Sequence, residues 1–422
     1  MHFSKNKKFQ SLFFLILSIL IIFNGGNTNL SIQLNFIFLS LFFLICLEDK
    51  NYSLHLKNFF IKNKISIVLY IIFLSYLIFQ TIPLPLNFLK FFSPEKYRLI
   101  NFLENNLYSP ISFAPSNSYF QILNFTSLLL IIFITKMIFY TQRHKFRFYT
   151  YLSVIGFFSS FIAVLLYFYG NPDFLIFKNS FYKNASTGFF VNRTVAAVFL
   201  IFCLISSMEL LKNYEENKNI KKNDHFFQKI YVRLFVVFIT IGIVTSFSRI
   251  GNFLLLITVL FYLLNEIFFV KSKNYSFRIV IILIIFFDLL ILGIYFGSTE
   301  IINRFYFLKE EFVSISGDVS NTNRFDIIKF GIMELKNFIF FGYGSGGFEN
   351  LFKLKFNNVS NQFANHAHTD LFEFIGEFGI IGTLLILCSF LKFYFDKHSY
   401  SFLNILLLSY LIITILFDFS LH

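Results

Sequence analysis

Apolar runs of about twenty residues recur along this chain, and few folds can absorb them. "SLFFLILSILIIF" near the start and "ISIVLYIIFLSYLIF" further on are two examples. Each run has the length of a bilayer crossing, and inside a bilayer a segment must satisfy its own backbone hydrogen bonds. With 56% hydrophobic residues and 69 phenylalanines among 422, a soluble domain is excluded. The fold class that follows is all-α: a polytopic transmembrane helical bundle. Spans are expected at about 10–23, 30–47, 65–82, 120–140, 150–168, 189–210, 231–246, 252–270, 279–297, 369–391 and 402–420. That makes about 11, or 12 if one is missed. The basic leader "MHFSKNKK" lacks a small-residue cleavage site after it, so the first run reads as a span and not as a signal peptide.

Charge sets the expected orientation. With a cytoplasmic N-terminus, the inside segments collect roughly 22 of the 36 Lys and Arg residues, as positive-inside requires. The 83–119 loop, the 169–188 loop, the turn "SFSRIG" and a long loop over about 298–368 then share the outer face. The same count leaves the C-terminus outside, so the expectation is a missed span or an early stop. The three cysteines, Cys46, Cys203 and Cys388, sit inside apolar runs and outline neither a disulfide framework nor a metal cluster. The net charge of +13 belongs to loop residues, with no nucleic-acid module behind it.

The ionisable residues that stand out lie on the outer face. In "NHAHTDLFEFIGEFGIIG" (365–382), His366 and His368 precede an apolar helix, and Asp370 with Glu373 fits an N-cap and capping box. His368 can be neutral near pH 7 and accept a proton, although a surface histidine at the lipid boundary is an equal reading. Glu377 lies a turn deeper and needs a partner, while Gly379 and Gly382 permit close helix packing. Arg193 stands at the outer, N-terminal end of a span, where a cation wants an anion to answer it, or else serves as a snorkelling anchor. Arg249 lies in the tight turn "SFSRIG", where it could equally cap the preceding helix. Arg324 opens an amphipathic surface helix whose apolar positions are Phe325, Ile328, Ile332 and Leu335. Guanidinium groups suit bidentate phosphate binding. "GYGSGG" (342–347) spells a dinucleotide fingerprint without a βαβ unit, so a flexible turn is expected there. Asp288, alone in mid-span, reads as a hydrogen-bonded structural acid.

Four of these stretches resemble the O-antigen ligase and O-antigen polymerase superfamily. "GFFVNRTVAAVFL", "SFSRIGNFLLL", "NRFDIIKFGIMELKNFIFFGYGSGGFEN" and "HAHTDLFEFIGEFGIIG" resemble its motifs in order, with weaker likeness at "SFAPSNSYFQILNF". Thr194, Thr369 and Phe330 depart from the familiar residues. The resemblance implies N-terminal membrane helices over 1–187, a ligase-like catalytic region over 188–391 that includes the helical periplasmic loop 298–368, and a C-terminal helix in 392–422. It further implies a glycosyltransferase in the bacterial inner membrane with its active site facing the periplasm. The donor is an undecaprenyl-pyrophosphate-linked glycan. The acceptor is lipid A–core for a ligase, or another lipid-linked glycan for a polymerase. His368 is the implied catalytic base, with Arg193, Arg249, Arg324 and His366 binding substrate, no metal or cofactor, and inversion at the anomeric carbon. A polysaccharide or lipid transporter is the reading from another class; it calls for interrupted helices and repeated halves, and the sequence displays neither.

Overall fold

A computed structural model of the chain describes residues 2–101, 107–172, 183–216, 222–269, 279–280, 282–284, 324–356, 364, 366–367, 369–395 and 402–417. These are overwhelmingly helical. Eight helices are long and apolar enough to cross a membrane: Asn29–Leu47, Lys64–Thr81, Pro115–Ile138, Gln142–Phe168, Arg193–Tyr214, Phe227–Thr245, Arg249–Phe268 and Asp370–Phe395. Each coincides with an expected span. Phe402–Leu416 is apolar but shorter, and the helix His2–Ile22 carries the basic leader in its first turns. The expected span at 279–297, with Asp288, falls almost entirely outside the described residues. The chain is therefore a multi-pass α-helical membrane protein.

The chain divides into two compact units, both discontinuous in sequence. The first comprises Met1–Ser31, Thr135–Arg304 and Phe402–Tyr410. Its spans pack through small residues: a Cβ on Gly156 would meet the Cys203 side chain at 2.4 Å, and one on Gly251 would meet Ala197 at the same distance. That is how membrane helices approach when no hydrophobic effect separates helix from lipid. The second unit comprises Ile32–Ile134, Phe305–Ser401 and Leu411–His422. There Phe73 of one span meets Phe378 of another edge-on at 5.2 Å, and Phe125 of a third touches both, at 5.2 Å and 5.8 Å.

Five short helices of the second unit lie outside the spans: Lys50–Lys62, Leu86–Phe92, Pro94–Asn101, Arg324–Phe338 and Phe348–Lys355. The last two close a small core, made by Ile327, Phe338, Tyr343, Phe348, Leu351, Phe352, Ala364 and Ala367. This turns the Arg324–Phe338 helix differently from the sequence expectation. Ile327 and Phe338 are buried, while Ile332 is exposed. The aromatic cluster decides the rotation, because Phe330 packs edge-on against Phe348, Phe352 and Phe356.

Candidate functional site

The helix Asp370–Phe395 is broken at Gly379, where φ is 64° and ψ 178°. That backbone region is open essentially to glycine alone. A Cβ there would lie 2.2 Å from the Phe340 carbonyl oxygen, and one on Gly342 would lie 2.2 Å from that of Glu377. The two glycines let the "GYGSGG" loop press backbone to backbone into the break.

A broken span must satisfy the groups it frees, and this one does. Tyr343 N donates to Gly376 O at 2.9 Å and Gly344 N to Glu377 O at 3.1 Å. Tyr76 Oη donates to Phe378 O at 2.9 Å. Ile380 N and Ile381 N donate to the carbonyls of Ile339 and Phe340. Buried Gln80 donates through Nε2 to Phe341 O at 2.7 Å and Glu377 O at 3.0 Å. The expectation of a flexible turn at 342–347 is thus overturned: the loop is an interlocked part of the site. Interrupted helices, unseen in the sequence, are present at this one described position.

The half-helix before the break carries three carboxyl groups with at most 1% exposure, Asp370, Glu373 and Glu377. Glu377 finds the partner its depth demanded, accepting from Gly346 N at 2.7 Å. Glu373 reaches back towards the chain that enters the helix: Ala367 N donates to Oε2 at 2.8 Å, and His366 Nδ1 lies 2.9 Å from Oε1. The capping arrangement is displaced by one residue from expectation, since Asp370 is already helical and Glu373 N donates to Thr369 O. Burial works against a charged His366 ring, but the hydrogen bond and charge of Glu373, with Glu349 adding, outweigh it and raise the His366 pKa above its ordinary value. Burial first, then the charges of Glu377 and Glu373, hold the Tyr343 phenol well above its usual range. His368 lies outside the described residues, as does the side chain of Arg324, whose backbone opens the Arg324–Phe338 helix.

Gln80, Lys96 and the stretch Ser112–Ser118 complete this site, and little in the sequence pointed to them. Ser112 N donates to Gln80 O, and Phe113 N to Tyr343 O at 2.9 Å. Ser118 Oγ donates to Ser345 O at 2.6 Å, and Asn117 Nδ2 to Gly346 O. Buried Lys96 donates to the carbonyls of Pro110 (2.7 Å) and Ser112 (2.5 Å), its ammonium 5.0 Å from the Phe113 ring centre. Burial brings its pKa down to about 8. Lys355 joins three of the short helices, 2.8 Å from both Glu95 and Glu334. The weak likeness at "SFAPSNSYFQILNF" was a signal for Ser112 to Ser118; nothing marked Lys96 or Gln80. Deeper in this unit an apolar cavity of about 380 Å³ opens among Tyr70, Leu129, Ile132, Phe133, Ile386 and Phe390.

Arg193 and Arg249 belong to the first unit and are described there. Each is the first residue of a helix, Arg193–Glu216 and Arg249–Leu264. The helices meet at Ala197 and Gly251, close inside those first turns. Arg249 is exposed and Arg193 half-buried. Ser248 caps the second helix, accepting from Gly251 N, so Arg249 is the residue that begins it. Two guanidinium groups thus stand at two adjacent helix N-termini, where backbone N–H groups already favour an anion.

Fold and site define a multi-pass membrane protein with a polar site built at the broken end of a span. Comparison with protein families carries this further: residues 234–387 match the model described as O-antigen ligase, which places the chain in the O-antigen ligase superfamily over that stretch. Comparison with curated proteins finds no match. The matched stretch includes Arg249, Arg324, His366, His368, Glu373 and Glu377, and it excludes Arg193 and all of 80–118. The match supports a membrane glycan-processing function of the O-antigen ligase or polymerase type.

Proposed function

We propose that this protein is an inverting, metal-independent glycosyltransferase of the bacterial inner membrane, working on the periplasmic side as an O-antigen ligase. It moves a glycan from undecaprenyl pyrophosphate to a hydroxyl of lipid A–core. The carboxylate-held imidazole at His366 and Glu373, inside the family-matched stretch, is the observation that supports this most. A carboxylate behind one ring nitrogen fixes the orientation of the ring and leaves the other nitrogen for substrate. On this reading the His366–His368 segment faces the acceptor, with His368 taking the hydroxyl proton and His366 holding the acceptor. The hydroxyl oxygen attacks the anomeric carbon opposite the pyrophosphate, and the bond from that carbon to the pyrophosphate oxygen breaks. Arg193, Arg249 and Arg324 bind the pyrophosphate and stabilise the charge it gathers on leaving. The apolar cavity of the second unit supports a lipid-bearing donor by its chemistry.

The polymerase reading shares the same family match, and the interrupted helix is a feature that a carrier also uses. A transfer assay separates all three. Purified protein is given a synthetic undecaprenyl-pyrophosphate oligosaccharide and candidate acceptors. Glycan on lipid A–core, lost by about 10²–10⁴-fold in His368→Ala and about 10²–10³-fold in Arg249→Ala, is the expected result. Lengthening of the donor instead makes the protein a polymerase. With no undecaprenyl pyrophosphate released for any acceptor, the transferase reading fails. Full activity in a folded His368→Ala variant removes the base assignment alone.

A further inference from the structure

The helix Leu86–Phe92 has two unlike faces. Leu89 is fully buried, and Phe92 packs edge-on against Phe79 at 5.2 Å and Phe341 at 4.8 Å. On the other face Phe88 and Phe91 are 59% and 74% exposed. Leu107 and Tyr108, at 77% and 62%, extend the same apolar surface, because Tyr108 pairs with Pro85 in the short ladder that immediately precedes the helix. Phe79 fixes the depth of the helix. It lies in the last turn of the span Lys64–Thr81, so a helix packed against it sits level with the end of that span. The chain then enters its next span at Pro115.

We infer that Leu86–Phe92 lies in the plane of the membrane boundary, with Phe88, Phe91, Leu107 and Tyr108 inserted among the lipids. The partner of this face is the bilayer surface itself. Aromatic residues favour that depth, and an in-plane helix seats its apolar face about 5–10 Å into the boundary between headgroups and acyl chains. Exposed Lys90 stands beside the face with its amine 5.9 Å from the Tyr97 ring centre, and by turning outward it reaches the phosphates while its stem stays in the apolar layer. Four side chains are too few for a second copy of the chain, since a stable protein interface takes about 800 Å² from each partner. The next helix carries Lys96, which holds the Ser112 carbonyl beneath the "GYGSGG" loop. The anchor therefore sets the height of the candidate site at the level where a lipid headgroup lies. It rests on the spans alone and stands whether or not glycan transfer is the activity.

The chain contains no tryptophan, so a single introduced one reports without background. Phe88→Trp and Phe91→Trp are made separately in the full chain and reconstituted into phospholipid bilayers brominated high on the acyl chain. Blue-shifted emission, quenched by the lipid bromines and untouched by aqueous iodide, is the expected result. Water-like emission quenched by iodide overturns the inference, and shielding from both quenchers assigns the face to a protein partner instead. Phe91→Lys added to Phe88→Trp should redden the emission in bilayers and leave the melting temperature in detergent unchanged. A fall in that temperature would mean that Phe91 packs against protein, and it too would overturn the inference.

Discussion

His366 carries the residue-scale chemistry that can be tested first. Its ring is drawn to the buried carboxylate of Glu373, which also accepts from Ala367 N, so one side chain orders both the imidazole and the backbone leading to His368. The folded pKa of His366 stands above the ordinary 6.5. A folded state that binds the proton more tightly than the unfolded chain is stabilised by it below about pH 6.5, and loses that contribution as pH rises through the folded value. Thermal melts of the detergent-purified protein should therefore show stability falling from about pH 6.5 upward. Glu373→Gln should remove that slope, leaving the acidic side weaker than wild type. A slope that survives both Glu373→Gln and His366→Gln would assign it to other groups. On the proposed function, the glycosyl-transfer rate should fall in Glu373→Gln as well, because the ring loses its orientation.

Among the elements, the broken helix and its loop stand on shared acceptors. Phe341 O accepts from both Tyr76 Oη and Gln80 Nε2, each at 2.7 Å. Gln80→Leu leaves Tyr76 on Phe341 O and Gly344 N on Glu377 O and should cost about 0.5–1.5 kcal/mol, whereas Tyr76→Phe also strips the Phe378 carbonyl of its side-chain donor and should cost about 1–3 kcal/mol. Removing both strands a carbonyl in a buried setting and adds the penalty of an unsatisfied group, about 1–3 kcal/mol. A double-mutant cycle followed by denaturation in detergent should thus show the pair costing more than the sum of the singles. Simple additivity would mean that the loop moves to find another donor. The sequence announced the span but not its break: "EFGIIG" reads as a continuous apolar helix, and a glycine there fits close packing equally well. What forces the break is the 339–347 backbone and Gln80, contacts separated from Glu377 by tens to hundreds of residues and carried by no local pattern. For the same reason "GYGSGG" read as a flexible turn. The pairing of His366 with Glu373 is local, seven residues apart, yet it was not read, because Glu373 three places after Asp370 suited a capping box equally well.

At the scale of the whole molecule, apolar run length made the membrane class and most spans legible, whereas the pairing of segments was not. Both units are discontinuous. The second joins Ile32–Ile134 to Phe305–Ser401, and the first joins Met1–Ser31 to Thr135–Arg304. A cut in the connection between the spans Pro115–Ile138 and Gln142–Phe168 therefore gives two fragments, 1–140 and 141–422, neither of which holds either unit complete. The larger fragment retains the whole O-antigen ligase match yet lacks Gln80, Lys96, Ser112 and Ser118, and with them the partners of the loop 342–347. Membrane helices insert independently and then associate, so separated spans can still find one another in the bilayer. Expressed alone, 141–422 should be inactive in glycan transfer and cleaved readily by protease within 342–347. Co-expression with 1–140 should restore both protection and transfer, whereas co-expression with a 1–140 fragment carrying Gln80→Leu and Tyr76→Phe should restore them less. If 141–422 alone proved protected and active, residues 80–118 would be dispensable decoration and the site would be confined to the family-matched stretch.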